Sequence, residues 1–182
     1  MPTLKIHSVN EDYPHFITFT TIEWIDVFTK PEYFTILLDS LKYCQKNLGL
    51  KVYGYVFMTN HIHLLCQAKK GYQLSKIVQS YKRFTTEKIK PLIMEDSRKY
   101  IAGLISTSFY KKDDNKFQLW QEYNHPEVIT SEKFFSEKLN YIHDNPIRKE
   151  YVAKSEDWIY SSAGFYLTGK IGLLTIDDIE SE

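Results

Sequence analysis

Alternation of apolar and polar residues predicts four β-strands. Residues 15–22 (HFITFTTI) alternate and are rich in β-forming side chains. Residues 51–58 (KVYGYVFM) are apolar on both faces, as expected of a central strand. A tight turn at Thr59-Asn60 leads into a partner strand over 61–67, and the alternating segment 116–121 (KFQLWQ) predicts the last strand.

Apolar residues at helical spacing predict three amphipathic helices, over 31–48, 73–90 and 132–145. Ser131 is the expected N-cap of the third helix. Pro146 is expected to end it, because the residue before a proline disfavours the helical conformation. Residues 91–115 are weakly patterned and predict a short helix and a loop.

The predicted order is strand, helix, strand, strand, helix, strand, helix. This order matches a split βαβ arrangement, so the predicted fold class is α+β, ferredoxin-like, with an antiparallel sheet and helices on one face. We expect one domain over residues 1–182, with a core of about 15–147 and a C-terminal tail over 148–182.

Composition limits the location and the class of the protein. No apolar stretch approaches the roughly 20 residues that span a bilayer, and the N-terminus lacks the apolar segment of a secretory signal. Cys44 and Cys66 form neither a disulfide framework nor a zinc-binding spacing. We therefore expect a cytoplasmic protein with free thiols and no membrane partner.

The net charge is zero, but it is unevenly distributed. Residues 69–112 carry eleven Lys/Arg and three Asp/Glu, whereas the segments on either side are acidic. Such a basic segment can face nucleic-acid phosphates, and it can equally be a solvated helix and loop. The DNA-binding candidates are basic residues of the predicted second and third helices: Lys76, Lys82, Arg83, Lys90 and Lys138.

Two histidines, His61 and His63, stand one residue apart at the start of a predicted strand. Residues i and i+2 of a strand point to the same face, so both imidazoles leave the sheet side by side. Neutral imidazoles on one face can hold a divalent metal ion. Mg²⁺ or Mn²⁺ would need oxygen ligands as well, and the alternative is a purely structural pair.

A tyrosine on the predicted third helix completes the candidate chemistry. Tyr141 and Asn145 lie one turn apart, and Lys138 precedes Tyr141 by three residues on the same side. A phenol is a weak nucleophile, and a metal that polarises a phosphate lowers the barrier to its attack. Metal-binding histidines and a presented tyrosine together indicate phosphodiester chemistry, unless Tyr141 merely packs against the sheet.

These residues resemble a known family. The segment 58–65 (MTNHIHLL) is similar to the histidine–hydrophobic–histidine motif of HUH single-strand transposases. The segment 141–148 (YIHDNPIR) resembles the nucleophile helix of their REP-associated tyrosine transposase branch. Residues 119–121 (LWQ) and 158–162 (WIYSS) are similar to later landmarks of that branch, whereas Thr59 stands where its members usually carry proline.

The resemblance implies a ferredoxin-like fold, a Mg²⁺ or Mn²⁺ ion, and cleavage of single-stranded DNA beside a hairpin. His61, His63 and Asn145 would be the metal ligands. Tyr141 would attack phosphorus to give a 5′-phosphotyrosine bond and a free 3′-OH. The resemblance is compatible with a monomer and with a homodimer that exchanges its tyrosine helices.

Two other functions fit the sequence. One is a non-enzymatic nucleic-acid-binding module that stacks bases on Tyr53, Tyr55 and Phe57 of the same sheet. The other is a metal-dependent hydrolase without a covalent step. The first predicts metal-independent binding, and the second predicts turnover that survives Tyr141→Phe.

Overall fold

The computed structural model describes residues 13–96, 101, 103–104, 108–110, 117–124 and 126–179. Its sheet has four strands in the order β2-β3-β1-β4, and every neighbouring pair is antiparallel. The strands are β1 (His15–Thr20), β2 (Leu50–Phe57), β3 (His61–Ala68) and β4 (Glu127–Val128). The α+β class and the antiparallel sheet expected from the sequence are confirmed.

The fourth strand is not where the alternation predicts it. β4 pairs with the start of β1, at His15 and Phe16, whereas Trp120 forms an isolated bridge with Thr21 beyond the other end of β1. Six residues of β1 separate the His15–Val128 pair from the Thr21–Trp120 bridge, whereas eight residues separate Trp120 from Val128. The segment 120–128 therefore cannot pair continuously with β1 and loops out. The predicted strand over 116–121 is therefore wrong as a ladder strand, although Leu119–Gln121 does pair with the chain just after β1.

Helices cover both faces of the sheet. Helices α1 (Pro31–Asn47) and α2 (Leu74–Met94) pack on one face, against side chains such as Ile62 and Leu64 of β3. Helix α3 (Glu132–Arg148) packs on the opposite face, where Ile142 meets Phe16 and Leu65. The expectation of helices on one face holds for α1 and α2 and is wrong for α3, whose apolar stripe covers the second side of the buried central strands.

Pro91 and Pro146 both lie inside helices and do not end them. Helix α2 continues past Pro91 to Met94, since Ile93 is fully buried against the core. Helix α3 continues past the buried Pro146 to Arg148. Proline removes one backbone donor, but its carbonyl still accepts, and Pro146 accepts from the N–H of Tyr151 at 2.9 Å. The predicted ends at 90 and 145 are therefore too early.

The C-terminal segment covers the exposed edge of β2. The N–H of Phe57 donates to Tyr160, the N–H of Ser162 donates to Tyr55, and the N–H of Asp177 donates to Val52. The short helix α4 (Ala163–Thr168) follows this contact. An edge strand without such a cover is open to pairing with another chain, so the segment protects the sheet.

Two local predictions, the Thr59-Asn60 turn and the Ser131 cap, are confirmed. Thr59 and Asn60 form the two-residue connection between β2 and β3, closed by the bond from the N–H of Met58 to the carbonyl of His61. Ser131 caps α3 by accepting from the N–H of Phe134. Gly49 follows α1 with a φ of 70°, a left-handed conformation that glycine adopts without strain. None of the helices within the described ranges is long and apolar enough to cross a membrane.

Candidate active site

The two histidines lie side by side on the face of β3 that α3 covers. His61 pairs with Thr20 and His63 with Thr18 in the β1–β3 ladder. Their ring centroids are 4.7 Å apart, and the residues are only 4% and 5% exposed. The strand geometry expected from the sequence is present, with Ile62 pointing to the opposite face, into the α1/α2 core.

Each imidazole is oriented through its Nδ1 atom. His61 Nδ1 lies 2.7 Å from the side-chain oxygen of Asn60, an acceptor, so His61 donates in this bond. Its Nε2 atom then carries the lone pair when the ring is neutral. His63 Nδ1 lies 2.9 Å from the hydroxyl of Thr18, which can accept in the same way. Such bonds fix the tautomer and the ring orientation of metal-binding histidines.

Burial keeps both rings neutral at physiological pH. It lowers the pKa of His61 to about 4 and the pKa of His63 to about 2. For His63, the neighbouring His61 and the cations Arg148 and Lys138 lower the pKa further. A neutral imidazole offers its lone pair to a metal ion, so this environment suits a ligand pair.

Helix α3 presents one face to this pair. Lys138, Tyr141, Asn145 and Arg148 are spaced at i−3, i, i+4 and i+7, which places them on one side of the helix. The ring of Tyr141 lies 5.1 Å from the ring of His63, centroid to centroid, while 39% of the residue stays exposed. A residue 78 positions away in sequence thus meets the histidines, and its side chain remains accessible to a substrate.

Asn145 closes the site on the side of His61. It is buried, and its side chain forms a hydrogen bond with His61. Because Asn145 lies one turn after Tyr141, the same helix brings the phenol to His63 and the amide to His61.

The donor set fits a Mg²⁺ or Mn²⁺ ion that completes its shell with water or phosphate. The described residues contain no cluster of three or more His, Cys, Asp or Glu side chains that could hold a metal ion. A site here would therefore depend on the two histidines and the amide oxygen of Asn145. Divalent ions of this type are held by few protein ligands and keep open positions for substrate oxygens.

Cations surround the site, and the sequence pattern singled out only one of them. Arg148 lies over the ring of Tyr141 at 4.2 Å and donates to its backbone oxygen at 3.0 Å. The charge of Lys149 acts on His61. Lys138 lies 4.5 Å from the centroid of Phe16, the ring that stacks on His63, and pairs with Glu127 at 2.6 Å.

Arg148 was missed because the helix was expected to end before it. A helix that passes through Pro146 puts position 148 two turns after Tyr141, on the same face. The signal was present in the spacing of i and i+7, but the proline rule outweighed it.

The basic residues of α2 do not join the site, because α2 packs on the other face of the sheet. Lys76 and Arg83 are exposed. Lys90 lies against the rings of Tyr110 and Phe117. The fourth candidate on this helix, Lys82, is half-buried and donates to the backbone oxygen of Gln121 at 2.6 Å. Their role in DNA binding remains a prediction.

The stacking surface of the alternative binding module is not available. Tyr53, Tyr55 and Phe57 are fully buried, because helices cover both faces of β2. The proposal that these rings stack bases is wrong. Of the remaining histidines, His143 is buried beside Ser162 at 2.9 Å, and His125 lies outside the described residues.

The fold and the site define a class of α+β protein in which paired histidines on a central strand meet a tyrosine from a later helix. Comparison with known proteins identifies the family. The profile of the family described as transposase IS200 like matches residues 8–125. The chain belongs to this transposase family. The matched range includes the histidine pair and ends before Tyr141 and Asn145.

One solved structure supports the fold. The structure of a REP-associated tyrosine transposase bound to a REP hairpin superposes with a TM-score of 0.64 at 16% identity, over 94% of this chain and 90% of that chain. A putative transposase from Deinococcus radiodurans matches with a TM-score of 0.45 at 15% identity, over 71% of this chain and 88% of that one. No curated protein sequence matches the chain.

Proposed function

We propose that this transposase cleaves and rejoins single-stranded DNA beside a hairpin, with Tyr141 as the nucleophile and a divalent metal ion at His61, His63 and Asn145. One observation carries the proposal. The half-exposed phenol of Tyr141 lies 5.1 Å, ring to ring, from His63, one member of a buried, neutral histidine pair that is far away in sequence.

In the proposed reaction, the Oη of Tyr141 forms a bond to phosphorus while the bond from phosphorus to the 3′ oxygen breaks. The phenol proton is released, and the departing 3′ oxygen takes up a proton. The products are a 5′-phosphotyrosine link and a free 3′-OH. Because a phosphodiester is exchanged for a phosphodiester, the reverse attack by a 3′-OH rejoins DNA without ATP.

His61, His63 and Asn145 would hold the metal ion, which when bound polarises the scissile phosphate. The bonds to Asn60 and Thr18 keep the imidazoles in the tautomer and orientation that such binding needs. Arg148 restrains the Tyr141 ring, and Lys138 adds positive charge beside Phe16 and His63. These cations favour a phosphate at the site and oppose the charge that builds up on it during attack.

We assign the hairpin contact to the exposed cations Lys76 and Arg83 of α2, with Lys82 and Lys90 on the same helix as weaker candidates, since their side chains contact other groups of the chain. Lys138 would contact the single strand at the site. Support for a hairpin substrate comes from the similar transposase whose structure contains a REP hairpin. The arrangement needs no partner chain, because Tyr141 meets the His63 of its own chain.

The covalent link is the direct test. Wild-type protein is incubated with Mn²⁺ and a library of single-stranded hairpin oligonucleotides, and a protein–DNA adduct is sought on denaturing gels. Mass spectrometry of the digested adduct should find the nucleotide on the peptide that contains Tyr141. Tyr141→Phe should form no adduct, whereas Tyr123→Phe, an exposed tyrosine outside the site, should retain it.

The outcomes separate the candidate functions. An adduct that persists in Tyr141→Phe, or no adduct with any hairpin, contradicts the proposed nucleophile. Turnover of a phosphodiester that survives Tyr141→Phe would identify a metal-dependent hydrolase instead. Binding of Mn²⁺, followed by electron paramagnetic resonance, should weaken in His63→Ala, and unchanged Mn²⁺ binding would contradict the assignment of the metal ligands.

A further inference from the structure

An aromatic side chain that the proposed reaction does not use stands beside the histidine pair. Trp24 is 56% exposed, although tryptophan carries a large apolar surface. Its indole meets the ring of His61 at 5.7 Å, in an edge-to-face arrangement. Most of this indole therefore faces solvent at the border of the candidate metal site.

The backbone holds Trp24 in this position at an energetic cost. Glu23 and Trp24 both have positive φ values, 49° and 58°, and neither is a glycine. Left-handed conformations of this kind cost roughly 1–2 kcal/mol per residue and persist only where the surroundings enforce them. Backbone strain of this kind clusters at functional sites, so its combination with an exposed indole beside the histidine pair points to a functional role for Trp24.

Several hydrogen bonds enforce the strained turn, and most of them lead to the residue before His61. The side chain of Asn60 donates to the backbone oxygen of Trp24 at 3.2 Å. The hydroxyl of Thr21 donates to the backbone oxygens of both Asn60 and Ile25. The turn is thus fixed to the start of β3, and Trp24 keeps a constant position relative to the histidines.

The surroundings of Trp24 suit a nucleotide. The charges that act on His61 at this end of the site are mixed, since Lys149 and Asp26 both contribute. The cations Arg148 and Lys138 lie on the His63 side, against the rings of Tyr141 and Phe16. An accessible aromatic face at the border of a site that contains cations is the combination with which proteins bind single-stranded nucleic acids: the ring stacks on a base and the cations attract the phosphates.

We propose that Trp24 is a stacking platform for one unpaired base of the DNA strand, adjacent to the phosphate that the histidine pair positions. The proposal rests on the proposed function. It adds a contact that selects unpaired DNA at the cleavage point, because a base inside a duplex cannot present its free face to the indole.

Binding tests the platform directly. Affinity for a hairpin with a single-stranded flank is measured in the Tyr141→Phe background, where no covalent link disturbs the equilibrium. Trp24→Ala should weaken binding by about five-fold or more, as expected for the loss of one base–aromatic stack. Trp24→Phe should retain most of the affinity, and Tyr43→Ala, which removes a comparably exposed ring (59%) on α1, should change nothing.

Fluorescence gives an independent readout, because the other two tryptophans are shielded. Trp120 is buried, and Trp158 is half-buried and donates its indole N–H to the backbone oxygen of Phe57. Single-stranded DNA should therefore quench the wild-type emission, and Trp24→Phe should abolish this quenching while the DNA still binds.

An abasic scan of the DNA distinguishes stacking from a structural role. A single abasic nucleotide is placed at each position of the single-stranded flank. At one position, removal of the base should reduce the affinity of the wild-type protein by about the same factor as the Trp24→Ala substitution does. At that position it should not reduce the affinity of the Trp24→Ala variant any further. Penalties that add at every position, or an unchanged affinity of Trp24→Ala, would overturn the proposal.

Failure of this inference is distinguishable from failure of the proposed function. If an adduct forms at Tyr141 but no abasic position couples to Trp24, the platform is wrong and the nucleophile stands. If the coupling is found but no adduct forms with Mn²⁺, the platform stands and the covalent chemistry is wrong. The platform also requires that Mn²⁺ binding be unchanged in Trp24→Ala, since loss of the metal ion would show that Trp24 only supports His61.

Discussion

Arg148 is placed to position Tyr141, the proposed nucleophile. Its guanidinium lies 4.2 Å from the Tyr141 ring and donates to the backbone of the same residue. Arg148→Ala should free the phenol and slow adduct formation at saturating DNA by between about ten-fold and a hundred-fold, the scale expected for a misplaced reacting group. Arg148→Lys should rescue little, because lysine lacks the planar group that stacks.

The control for this prediction is Lys133→Ala, which removes an exposed cation from the first turn of the same helix. Single-turnover rates separate positioning from binding. If Arg148→Ala weakened only the affinity and left the saturating rate unchanged, Arg148 would be a phosphate contact and not a positioning residue.

Lys82 makes stability depend on pH in a defined window. Burial lowers its pKa from 10.5 to about 8, and the charge of Glu122 opposes this only in part. Between about pH 8 and pH 10.5 the unfolded chain holds a proton that the folded chain has released, so the contribution of Lys82 to the free energy of unfolding rises with pH. Below pH 8 both states are protonated, and the cost of burying the charge is present in full.

Urea unfolding of wild-type protein and Lys82→Met at pH 7 and pH 9.5 tests this sign. Wild-type stability should improve relative to the variant at the higher pH. A difference that stays constant would mean that the ammonium, which donates to Gln121 and Asn124, is well solvated in the folded chain.

At the scale of the elements, periodicity located the helices and the first three strands, because each buries one or two apolar faces. It also predicted the pairing of His61 and His63 on one face, which follows from the two-residue repeat of a strand. Periodicity did not predict where α2 and α3 end. The helices continue past their prolines because burial of Ile93 and Pro146 in the core outweighs the local preference of proline against helix.

Periodicity also did not predict which segments that are distant in sequence lie next to each other. An alternating strand at 117–121 would bury every second residue, yet the adjacent residues Leu119 and Trp120 are both buried, and the indole of Trp120 donates to Thr85 of α2. Which end of β1 receives a full ladder depends on where the connecting chain crosses, and no local pattern encodes that. The same holds for Trp24, whose proposed role follows from its contact with His61 and not from any local pattern.

Gly54 of β2 lies directly under Leu139 of α3. A Cβ atom at this position would lie 2.6 Å from the Cδ1 of Leu139, closer than real contacts permit. The atom that clashes is the far end of a flexible side chain, so Gly54→Ala should destabilise the fold by about 1 kcal/mol, the cost of moving Leu139 out of its rotamer, and should change adduct formation little because α3 stays in place.

A double-mutant cycle tests the cause. Leu139→Ala shortens the clashing side chain, so the double variant should be less destabilised than the sum of the two single variants. Gly164→Ala is the control, since its added Cβ finds only an ordinary contact at 3.8 Å. Strict additivity in urea unfolding would show that the contact with Leu139 is not the cause of the destabilisation.

The placement of α2 gives a test of the basic segment. The double variant Lys76→Glu/Arg83→Glu should weaken binding of a hairpin without a flank and reduce the salt dependence of its affinity, because counterions are released from fewer phosphate contacts. Lys138→Ala should instead affect only DNA with a single-stranded flank. If either variant lost the same affinity for both DNAs, the proposal that α2 binds the hairpin and the site binds the single strand would be contradicted.

For the whole molecule, the question is whether one chain forms a complete site. The structure brings Tyr141 and Asn145 to His63 and His61 of the same chain through one helix that crosses the face of β3. The C-terminal segment already occupies the free edge of β2, so this edge is not open for pairing with a second copy. Both features favour a monomer in which Tyr141 attacks a DNA phosphate bound at the histidine pair of the same chain.

Mixing two inactive variants tests this arrangement. His63→Ala keeps the tyrosine and lacks one proposed metal ligand, whereas Tyr141→Phe keeps the proposed ligands and lacks the proposed nucleophile. If each chain uses its own tyrosine, a mixture should form no more adduct than either variant alone. If two chains exchanged their α3 helices, Tyr141 of the His63→Ala chain would reach the intact histidine pair of the Tyr141→Phe chain, and adduct formation would return. Wild-type protein mixed with each variant controls for inhibition, and light scattering at the assay concentration should report the mass of a single chain.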